Sequence, residues 1–429
     1  MLDINFVMRN AQLIRQSTLE RYSDADVEKA IRLYTQLKDK RHELEAAQRR
    51  LNEIAQQFSK ADTKTKKNLK EESRQWKNRV VGLKEEIATL EKDYFGEMLK
   101  IPNIAAPEVP QGKDEAGNVL LRQNGQQPHF DFRPRNHVEL AELLDVVDFK
   151  SGTKVAGPKF YFLKNEAVLL ELALIRYALD TAAKNGFALV TTPDIARDDI
   201  ISASGFTPRG PESQIYSLVG SNLSLIGTSE ITIGGSLAGS RLAEKDLPIK
   251  MAGVSHCFRT EAGSYGKESK GLYRVHQFSK VELYQFTHPE HSNAALEEIL
   301  AIEESFYQSL GLPYRVMLVC KGDLGAPAYK KYDIEAWMPF IGSQGGYGEV
   351  TSASNCTDFQ ARRLDIRYHD DATRRNGFVH TLNGTAVATT RTILAILENH
   401  QREDGAVVIP EVLHPYTGFE VIKPKQKKS

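Results

Sequence analysis

The chain has 429 residues, of which 41% are hydrophobic, and its 56 Lys and Arg residues are balanced by 56 Asp and Glu residues. This composition is typical of a globular protein with room for two or more domains, and it excludes collagen-like, disulfide-scaffold and wholly disordered chains. The three cysteines are far apart in the sequence: Cys257, Cys320 and Cys356. We therefore expect neither a disulfide framework nor a Cys-based zinc site, and we expect a reducing cytoplasmic location.

The N-terminal residues lack a basic region followed by an apolar core. The most apolar stretch, residues 167–175, is short and is interrupted by Glu171. We therefore expect no secretion signal and no membrane span.

The first hundred residues have the composition of long helices, with no proline before Pro102. Apolar residues recur every seven positions in two series: Ala30, Leu37, Leu44, Leu51 and Phe58, then Leu69, Trp76, Leu83 and Leu90. Each series has apolar companions three or four positions further on: Leu33, Ala47 and Ile54, then Val80, Ile87 and Tyr94. This spacing predicts two heptad helices over about 26–58 and about 66–100, which reverse through the polar residues 59–67 into an antiparallel coiled-coil arm.

The tip of this predicted arm is locally basic. Residues 59–79 contain three acidic residues and eight basic ones: Lys60, Lys64, Lys66, Lys67, Lys70, Arg74, Lys77 and Arg79. Such a tip could bind phosphates through charge without reading bases, or it could be an ordinary solvated face. The residues of the arm leave both interpretations open.

A linker with Pro102, Pro107 and Pro110 predicts a domain boundary, with one domain over 1–112 and a second over 113–429. In the second, an amphipathic helix is predicted from the cap residue Asn165 to Gly186. A strand should follow over residues 187–195, and further strands over 231–233, 247–258, 274–287 and 316–322. Because β-α-β alternation is missing, we predict an α+β fold with a mainly antiparallel sheet.

The segment over residues 258–286 reads FRTEAGSYGKESKGLYRVHQFSKVELYQF. Strand-like ends enclose a loop with Gly263, Gly266 and Gly271, and a glycine-rich loop by itself is often only a turn. FRTEAG and GLYRVHQFSKVELYQF together resemble motif 2 of the class II aminoacyl-tRNA synthetases, in the form carried by seryl-tRNA synthetases.

The resemblance continues along nearly the whole chain. Residues of about 165–193 resemble motif 1, the dimer-interface element, and NGTAVATTRTILAILENHQ at about 383–401 resembles motif 3. LIGTSE, ending at Glu230, and YGEVTSASNCTDFQARR, from Tyr347, resemble the serine and the metal and nucleotide segments of the seryl enzymes. The arm resembles their tRNA-binding domain. The resemblance implies a class II antiparallel sheet flanked by helices and preceded by the coiled-coil arm.

The resemblance implies that serine reacts with ATP to give seryl-adenylate and pyrophosphate, and that serine then passes to the 3′ end of tRNA(Ser). A carboxylate is already ionised at pH 7, so the first step needs no general base. The implied catalytic residues are Arg259, Arg274 and Arg391. The implied ATP-binding residues are Arg259, Thr260, Glu261, Arg274, Val275, Phe278, Glu349, Val350, Thr351, Ser352 and Arg391, with Glu349 and Ser352 carrying Mg²⁺.

The serine pocket implied by the resemblance consists of Thr228, Ser229, Glu230, Arg259, Glu282, Asn383 and Thr385. The sequence leaves open which of Glu230 and Glu282 binds the ammonium group of serine and which binds its hydroxyl. The eleven histidines show no zinc-ligand spacing, so we expect no zinc. The eight basic residues at the tip are then expected to bind the long variable arm of tRNA(Ser), with tRNA(Sec) as a further candidate, and the chain is expected to be a homodimer.

Two alternatives share the same motifs. An amino acid ligase that loads a carrier protein would have a similar catalytic body, but such relatives lack this arm. A catalytically inactive synthetase paralogue that binds RNA would be expected to have lost the phosphate-binding arginines, and this chain keeps all three. An unrelated coiled-coil scaffold fused to an ATP-binding domain would have to match the order of the motifs by chance.

Overall fold

The computed structural model describes residues 1–206, 214–261, 271–342, 344–370 and 373–425. The chain divides into two compact units, Met1–Ile104 and Ala105–Ser429. The division lies inside the linker that contains Pro102, Pro107 and Pro110.

The α-helices of the described residues are, in chain order, α1 (Ile4–Arg9), α2 (Ala11–Glu20), α3 (Val27–Lys60), α4 (Thr63–Lys100), α5 (His137–Leu144), α6 (Phe149–Ala156), α7 (Glu166–Lys184), α8 (Asp198–Ser204), α9 (Glu230–Ser236), α10 (Ser292–Ser309), α11 (Phe359–Leu364), α12 (Thr389–Asn399) and α13 (His414–Thr417). The strands are β1 (Val119–Asn124), β2 (Val147–Asp148), β3 (Phe162–Leu163), β4 (Ala188–Thr191), β5 (Ile195–Arg197), β6 (Leu223–Leu225), β7 (Arg241–Ala243), β8 (Ile249–Phe258), β9 (Gln277–Thr287), β10 (Tyr314–Leu318), β11 (Lys330–Met338), β12 (Gly346–Asn355), β13 (Arg367–Asp370), β14 (Arg375–Phe378), β15 (His380–Ala388), β16 (Val407–Val408) and β17 (Val421–Ile422).

The first unit contains the long antiparallel pair α3 and α4, which confirms the predicted coiled-coil arm. The chain reverses within Ala61 and Asp62, and the Asp62 side chain caps α4 by accepting a hydrogen bond from the Thr65 amide at 2.8 Å. The predicted heptad positions are buried or half-buried along the seam, except that Phe58 at the tip is 39% exposed.

Ion pairs join the two long helices outside the apolar seam. The Arg50 guanidinium lies 2.7 Å from the Glu72 carboxylate, and Lys40 Nζ lies 2.9 Å from Glu86. These pairs are partly exposed, so each adds little stability by itself. They fix the register of the two helices, while the buried apolar residues supply most of the stabilisation.

The second unit is built on an eight-stranded sheet with the order β1-β10-β11-β12-β15-β9-β8-β4. All neighbours are antiparallel except β4 and β8, which run parallel. Buried side chains of α7, α10 and α12 pack with those of the central strands in one apolar core. The predicted α+β fold with an antiparallel sheet flanked by helices is confirmed.

Two local predictions differ from the structure. Residues 231–233, predicted as a strand, lie in α9, where Ile231 and Ile233 pack into two different apolar clusters. Tertiary packing on two sides of a short helix overrides the β-preference of these branched residues. Asn165 does precede α7, but its side chain donates to the Asp145 carbonyl at 2.8 Å and does not cap the helix.

Candidate active site

The central strands β9, β12 and β15 line a cavity that measures about 740 Å³ including its open mouth. Alternate residues of β9 face this cavity, because successive side chains of a strand point to opposite faces. The lining residues are Phe206, Thr228, Glu230, Arg259, Glu261, Tyr273, Arg274, Val275, Phe278, Lys280, Glu282, Glu349, Val350, Thr351, Ser352, Asn383, Thr385, Ala388, Thr390 and Arg391. The cavity thus brings together residues from across the second unit.

All predicted ATP-binding and serine-binding residues line this cavity except two. The Ser229 hydroxyl is buried beneath it and donates to the Gly253 carbonyl at 3.2 Å. The Thr260 amide donates to the Gln214 carbonyl at 3.2 Å, directly after Arg259. The eight predicted tRNA-binding residues belong to the other unit, where all of them are exposed at the end of α3 and along α4.

A β-bulge in β12 puts both predicted magnesium ligands on the cavity. Thr351 pairs with Ile334 and Glu349 pairs with Glu335, so Val350 is an extra residue in β12. Residues three apart face opposite sides of a regular strand, but the extra residue turns Glu349 and Ser352 to the same side. The bulge is the reason that both side chains line the cavity.

Arg391 lies on α12 and is tied to the strand that carries Glu349. Its Nη1 donates to the Glu349 carbonyl at 2.8 Å and lies 3.3 Å from the Glu349 carboxylate. Its guanidinium also lies 4.8 Å from the centre of the Tyr273 ring. Helix, strand and ring therefore hold this cation in one orientation at the cavity wall.

Arg259 and Arg274 supply the two other predicted cations. The Arg259 guanidinium lies 5.4 Å from the centre of the Phe278 ring and 6.0 Å from that of Phe206. Arg274 lies 3.4 Å from the Glu261 carboxylate, and its Nε is buried without a hydrogen-bond partner among the described residues. A buried donor of this kind favours an anionic acceptor in the cavity.

The predicted serine-binding residues lie around a buried ion pair between Lys280 and Glu282. Lys280 Nζ also donates to the Thr228 hydroxyl at 2.7 Å, and the Thr228 hydroxyl lies 3.3 Å from the Glu282 carboxylate. Thr385 is paired with Glu282 across β9 and β15. Asn383, two residues earlier on β15, donates to Glu230 at 2.9 Å. Two carboxylates, one amide and two hydroxyls therefore converge in one small region.

The cavity shifts the titration of two carboxyl groups in opposite directions. Burial and the nearby Glu282 carboxylate raise the pKa of Glu230 to about 7. Burial also opposes ionisation of Glu349, but the charges of Arg391, Lys331 and Arg259 outweigh it and lower the pKa of Glu349 to about 2. The carboxyl group of Glu349 is therefore ionised at neutral pH, whereas that of Glu230 gains or loses its proton near neutral pH.

Six residues in or next to the cavity were not among the predicted site residues: Lys280, Tyr273, Phe206, Ala388, Thr390 and Gln360. Lys280 stands two residues before Glu282 on the same strand, and this period-two spacing could have identified it. Tyr273 is adjacent to Arg274 and could have been included with motif 2. Phe206 follows α8 and carries no sequence signal that points to this cavity. Gln360 on α11 lies within the segment from Tyr347 that resembles the metal and nucleotide segment of the seryl enzymes, but its contact with Glu230 was not predicted.

The part of motif 2 that contains Gly263 and Gly266 lies outside the described residues, as do the last lysines of the C-terminal tail. Gly271 is described and has a φ of +68°. A Cβ atom there would lie 1.9 Å from the His137 ring, so glycine is required for this close approach.

Within the described ranges, His, Cys, Asp and Glu form no cluster of three or more that could hold a metal ion. A single carboxylate with a hydroxyl can still contribute to Mg²⁺ binding, because this ion usually retains waters and takes further oxygens from substrate phosphates. The ionised Glu349 and the Ser352 hydroxyl fit that requirement.

Among the residues that the structure describes, no helix is long and apolar enough to cross a membrane.

The antiparallel sheet and its cavity belong to the class of the class II aminoacyl-tRNA synthetases, as comparison with known proteins shows. The family model of the class II core domain (G, H, P, S and T) matches residues 218–400, and that of the seryl-tRNA synthetase N-terminal domain matches residues 1–105. The chain belongs to the seryl-tRNA synthetase family.

Individual relatives agree over the full length. A serine–tRNA ligase of Rubrobacter xylanophilus is 50% identical, with 100% of both chains covered. The crystal structure of the Pyrococcus horikoshii seryl-tRNA synthetase complexed with ATP has a TM-score of 0.88 and 41% identity, covering 99% of this chain and 100% of that one. The cytoplasmic serine–tRNA ligase of Naegleria fowleri, in complex with AMP, has a TM-score of 0.82 and 31% identity, covering 99% of both chains.

The ion pair of Lys280 and Glu282 leads to a prediction on stability. Lys280→Met removes the cation that pairs with Glu282 and leaves a buried carboxylate, so we expect the free energy of unfolding to fall by about 3–5 kcal/mol. Urea unfolding followed by circular dichroism measures this change. Lys164→Met breaks the exposed pair with Asp145 and should cost about 1 kcal/mol or less. An equal loss of unfolding free energy in the two variants would contradict the conclusion that the buried pair stabilises the fold.

Proposed function

We propose that this chain activates L-serine with ATP to give seryl-adenylate and pyrophosphate, and then transfers serine to the 3′ end of tRNA(Ser). The observation that carries the proposal is the single cavity in which Arg259, Arg274 and Arg391 lie beside the pocket formed around Glu230 and Glu282. A cavity of this composition suits an amino acid carboxylate bound next to a polyphosphate. The family membership and the ATP complex of the Pyrococcus horikoshii relative support the same reaction.

In the first step, an oxygen of the serine carboxylate forms a bond to the α-phosphorus of ATP, and the bond from this phosphorus to pyrophosphate breaks. The nucleophile is already charged, so the protein contributes positioning and charge stabilisation rather than a base. Arg259 lines the cavity and its charge acts on both Glu230 and Glu349, and its planar guanidinium can hold a carboxylate and a phosphate oxygen together. Its proposed role is to align the two reacting groups.

Arg274 and Arg391 are proposed to hold the β- and γ-phosphates. The buried Nε of Arg274 supports this role, since a phosphate oxygen would satisfy it. Phe278 is proposed to stack on adenine, and Glu261 to accept from its amino group. Thr260, Val275, Val350 and Thr351 complete the proposed ATP site.

Mg²⁺ is proposed to bind through Glu349 and Ser352, where it would neutralise phosphate charge when bound. The low pKa of Glu349 keeps this carboxylate ionised whether or not a cation is near. Arg391, which already pairs with Glu349, keeps the carboxylate in place along β12.

Serine is proposed to bind against Thr228, Glu230, Glu282, Asn383 and Thr385, with Ser229 supporting the pocket from below. A pocket lined by buried polar groups rejects alanine, because the groups that bond the serine hydroxyl would be left unpaired. In the second step the terminal ribose hydroxyl of tRNA attacks the carbonyl carbon of the adenylate, and AMP leaves.

The two alternatives, one enzymatic and one without catalytic activity, are less well supported. A catalytically inactive RNA-binding paralogue has no use for three arginines held toward one cavity. A ligase that loads a carrier protein has no use for residues 1–105, which match the seryl-tRNA synthetase N-terminal domain.

We propose a cytoplasmic location for the reaction.

ATP–pyrophosphate exchange tests the proposed activity on purified protein without tRNA. We expect exchange with serine well above that with threonine, alanine or cysteine. Arg259→Ala should lower serine-dependent exchange by about a hundredfold or more, because the alignment of carboxylate and phosphate is lost. Its circular dichroism spectrum should be unchanged. Wild-type exchange in this variant would refute the proposed role of Arg259.

The arm is proposed to bind the long variable arm of tRNA(Ser) through the eight exposed basic residues at its tip. Lys60, Lys64, Lys66, Lys67, Lys70, Arg74 and Lys77 extend from the tip, whereas Arg79 already pairs with Glu43 at 2.6 Å. Contacts of this kind bind phosphates and do not read bases. We therefore include tRNA(Sec) as a second candidate substrate.

Replacing Lys64, Lys66 and Lys67 together by Ala tests the arm. We expect the KM for tRNA(Ser) in charging to rise roughly tenfold, and the salt dependence of binding to weaken, because three phosphate contacts are lost. Serine-dependent exchange without tRNA should not change. The matched control, Lys84→Ala with Lys92→Ala, removes exposed lysines of the same helix outside the tip. An identical effect of the two sets would exclude a specific role of the tip.

A homodimer is proposed to form through α7 and the edge strand β4. Their outer surface carries Val168, Leu169, Leu172 and Leu189, which are 38–57% exposed. A run of large apolar residues beside the end of a sheet is typical of a protein interface. The segment of about 165–193 that resembles motif 1, the dimer-interface element, contains these residues.

Light scattering after size-exclusion chromatography tests this assembly. We expect a dimer for the wild type and a monomer for Leu169→Lys combined with Leu172→Lys, because the charges would be buried at the interface. Leu120→Lys, which replaces a residue 50% exposed at the opposite edge of the sheet, should leave the dimer intact. A wild-type monomer at micromolar concentration would contradict the proposal.

A further inference from the structure

Gln360 on α11 has a side chain with no exposed surface, and its amide group lies beneath the floor of the serine pocket. Its Nε2 donates to the Glu230 carboxylate at 2.6 Å and to the Ser204 carbonyl at 2.8 Å. Gln360 does not line the cavity itself. It therefore contacts the site only through Glu230.

The other end of the Gln360 amide is equally constrained. Its Oε1 accepts hydrogen bonds from the Thr381 hydroxyl at 2.6 Å and from the Tyr284 hydroxyl at 2.9 Å. Two donors and two acceptor sites are thus all used, which is the full capacity of a glutamine amide. A flipped amide would put its oxygen against the Ser204 carbonyl, so the network permits one orientation.

This arrangement fixes the Glu230 carboxylate in a specific way. Its Oε1 accepts both from Gln360 and from Asn383, at 2.6 and 2.9 Å. Among the described residues, no hydrogen-bond donor contacts Oε2, and Glu230 lines the cavity. One oxygen is consequently held by the protein while the second is available to a ligand.

We propose that Gln360 is a positioning residue for serine activation, which holds Glu230 so that its second oxygen faces the ammonium or hydroxyl group of serine. This inference rests on the function proposed above. It assigns a task to a residue that has no contact with substrate and lies on an element remote in sequence from Glu230.

The charged groups around Glu230 determine how pH enters the test. Glu282 opposes ionisation of Glu230, Lys280 and Arg259 favour it, and the neutral Tyr284 hydroxyl lies on the same network. Burial is the largest cause of the raised pKa of Glu230. Among the interactions that lower this pKa, the hydrogen bond from Gln360 is the largest. Removing that bond should therefore raise the pKa of Glu230 further.

The test compares Gln360→Met with the wild type in serine-dependent ATP–pyrophosphate exchange between pH 6 and pH 9. We expect the KM for serine at pH 7 to rise about tenfold or more, with the KM for ATP changed less than about twofold. Because the variant's Glu230 ionises at higher pH, its KM for serine should recover as the pH rises. A wild-type KM for serine and a wild-type pH profile would overturn the inference.

Gln401→Met is the matched control. Gln401 is also a buried glutamine, with its amide bonded to Arg135 and to the Glu398 carbonyl, but it has no contact with the cavity. Its loss should lower the melting temperature without changing the KM for serine. If the control raised this KM as much as Gln360→Met does, the effect would be general destabilisation and the inference would fail.

Thr381→Val decides the question if Gln360→Met does not fold. It removes one of the two donors to Gln360 and leaves the bond to Glu230, so we expect a rise in the KM for serine of about two- to fivefold in the same direction. An unchanged KM would overturn the inference. A wild type without serine-dependent exchange would instead refute the proposed function, so the two failures are distinguishable.

Discussion

The structure depends on a balance of buried charge in one cavity of the sheet. Glu282 is buried beside Lys280, Glu349 is held by Arg391, and Glu230 receives neutral donors instead of a cation. Glu282 is buried and would be costly without such a partner, and the partly exposed Glu230 and Glu349 are held in place by theirs. The partners come from different strands and helices, so the complete fold is required before any of these charges is stable where it lies.

This balance separates the cavity into two functional regions. Around Glu349 cations predominate, and the pKa of its carboxyl group is lowered to about 2, which suits the proposed binding of polyphosphate. Around Glu230 two carboxyl groups lie near each other, and the pKa of Glu230 is raised to about 7, which suits the proposed binding of a small cation with a hydroxyl group. The charge of Arg259 acts on both Glu230 and Glu349, in keeping with its proposed role of aligning a carboxylate with a phosphate.

The sheet produces this geometry because side chains alternate between its two faces and because a β-bulge interrupts that alternation in β12. Regular period-two alternation places Lys280 and Glu282 on the same face of β9, and Asn383 and Thr385 on the same face of β15. One extra residue in β12 brings Glu349 and Ser352 to one side. The arm follows a different rule: a heptad seam supports its length, and its ion pairs leave most of the basic tip exposed.

Local periodicity was enough to predict the heptad arm, the helix α7 and the long strands β8 and β9. The order of the motifs also indicated which residues meet in the cavity. Packing between distant segments is what makes residues 231–233 helical, pairs Lys280 with Glu282 and joins Gln360 to Glu230. Gln360 and Glu230 are separated by 130 residues in the chain, and a hydrogen bond between such distant residues leaves no periodic trace in either segment. Contacts of this kind exist only once helices and strands have packed together.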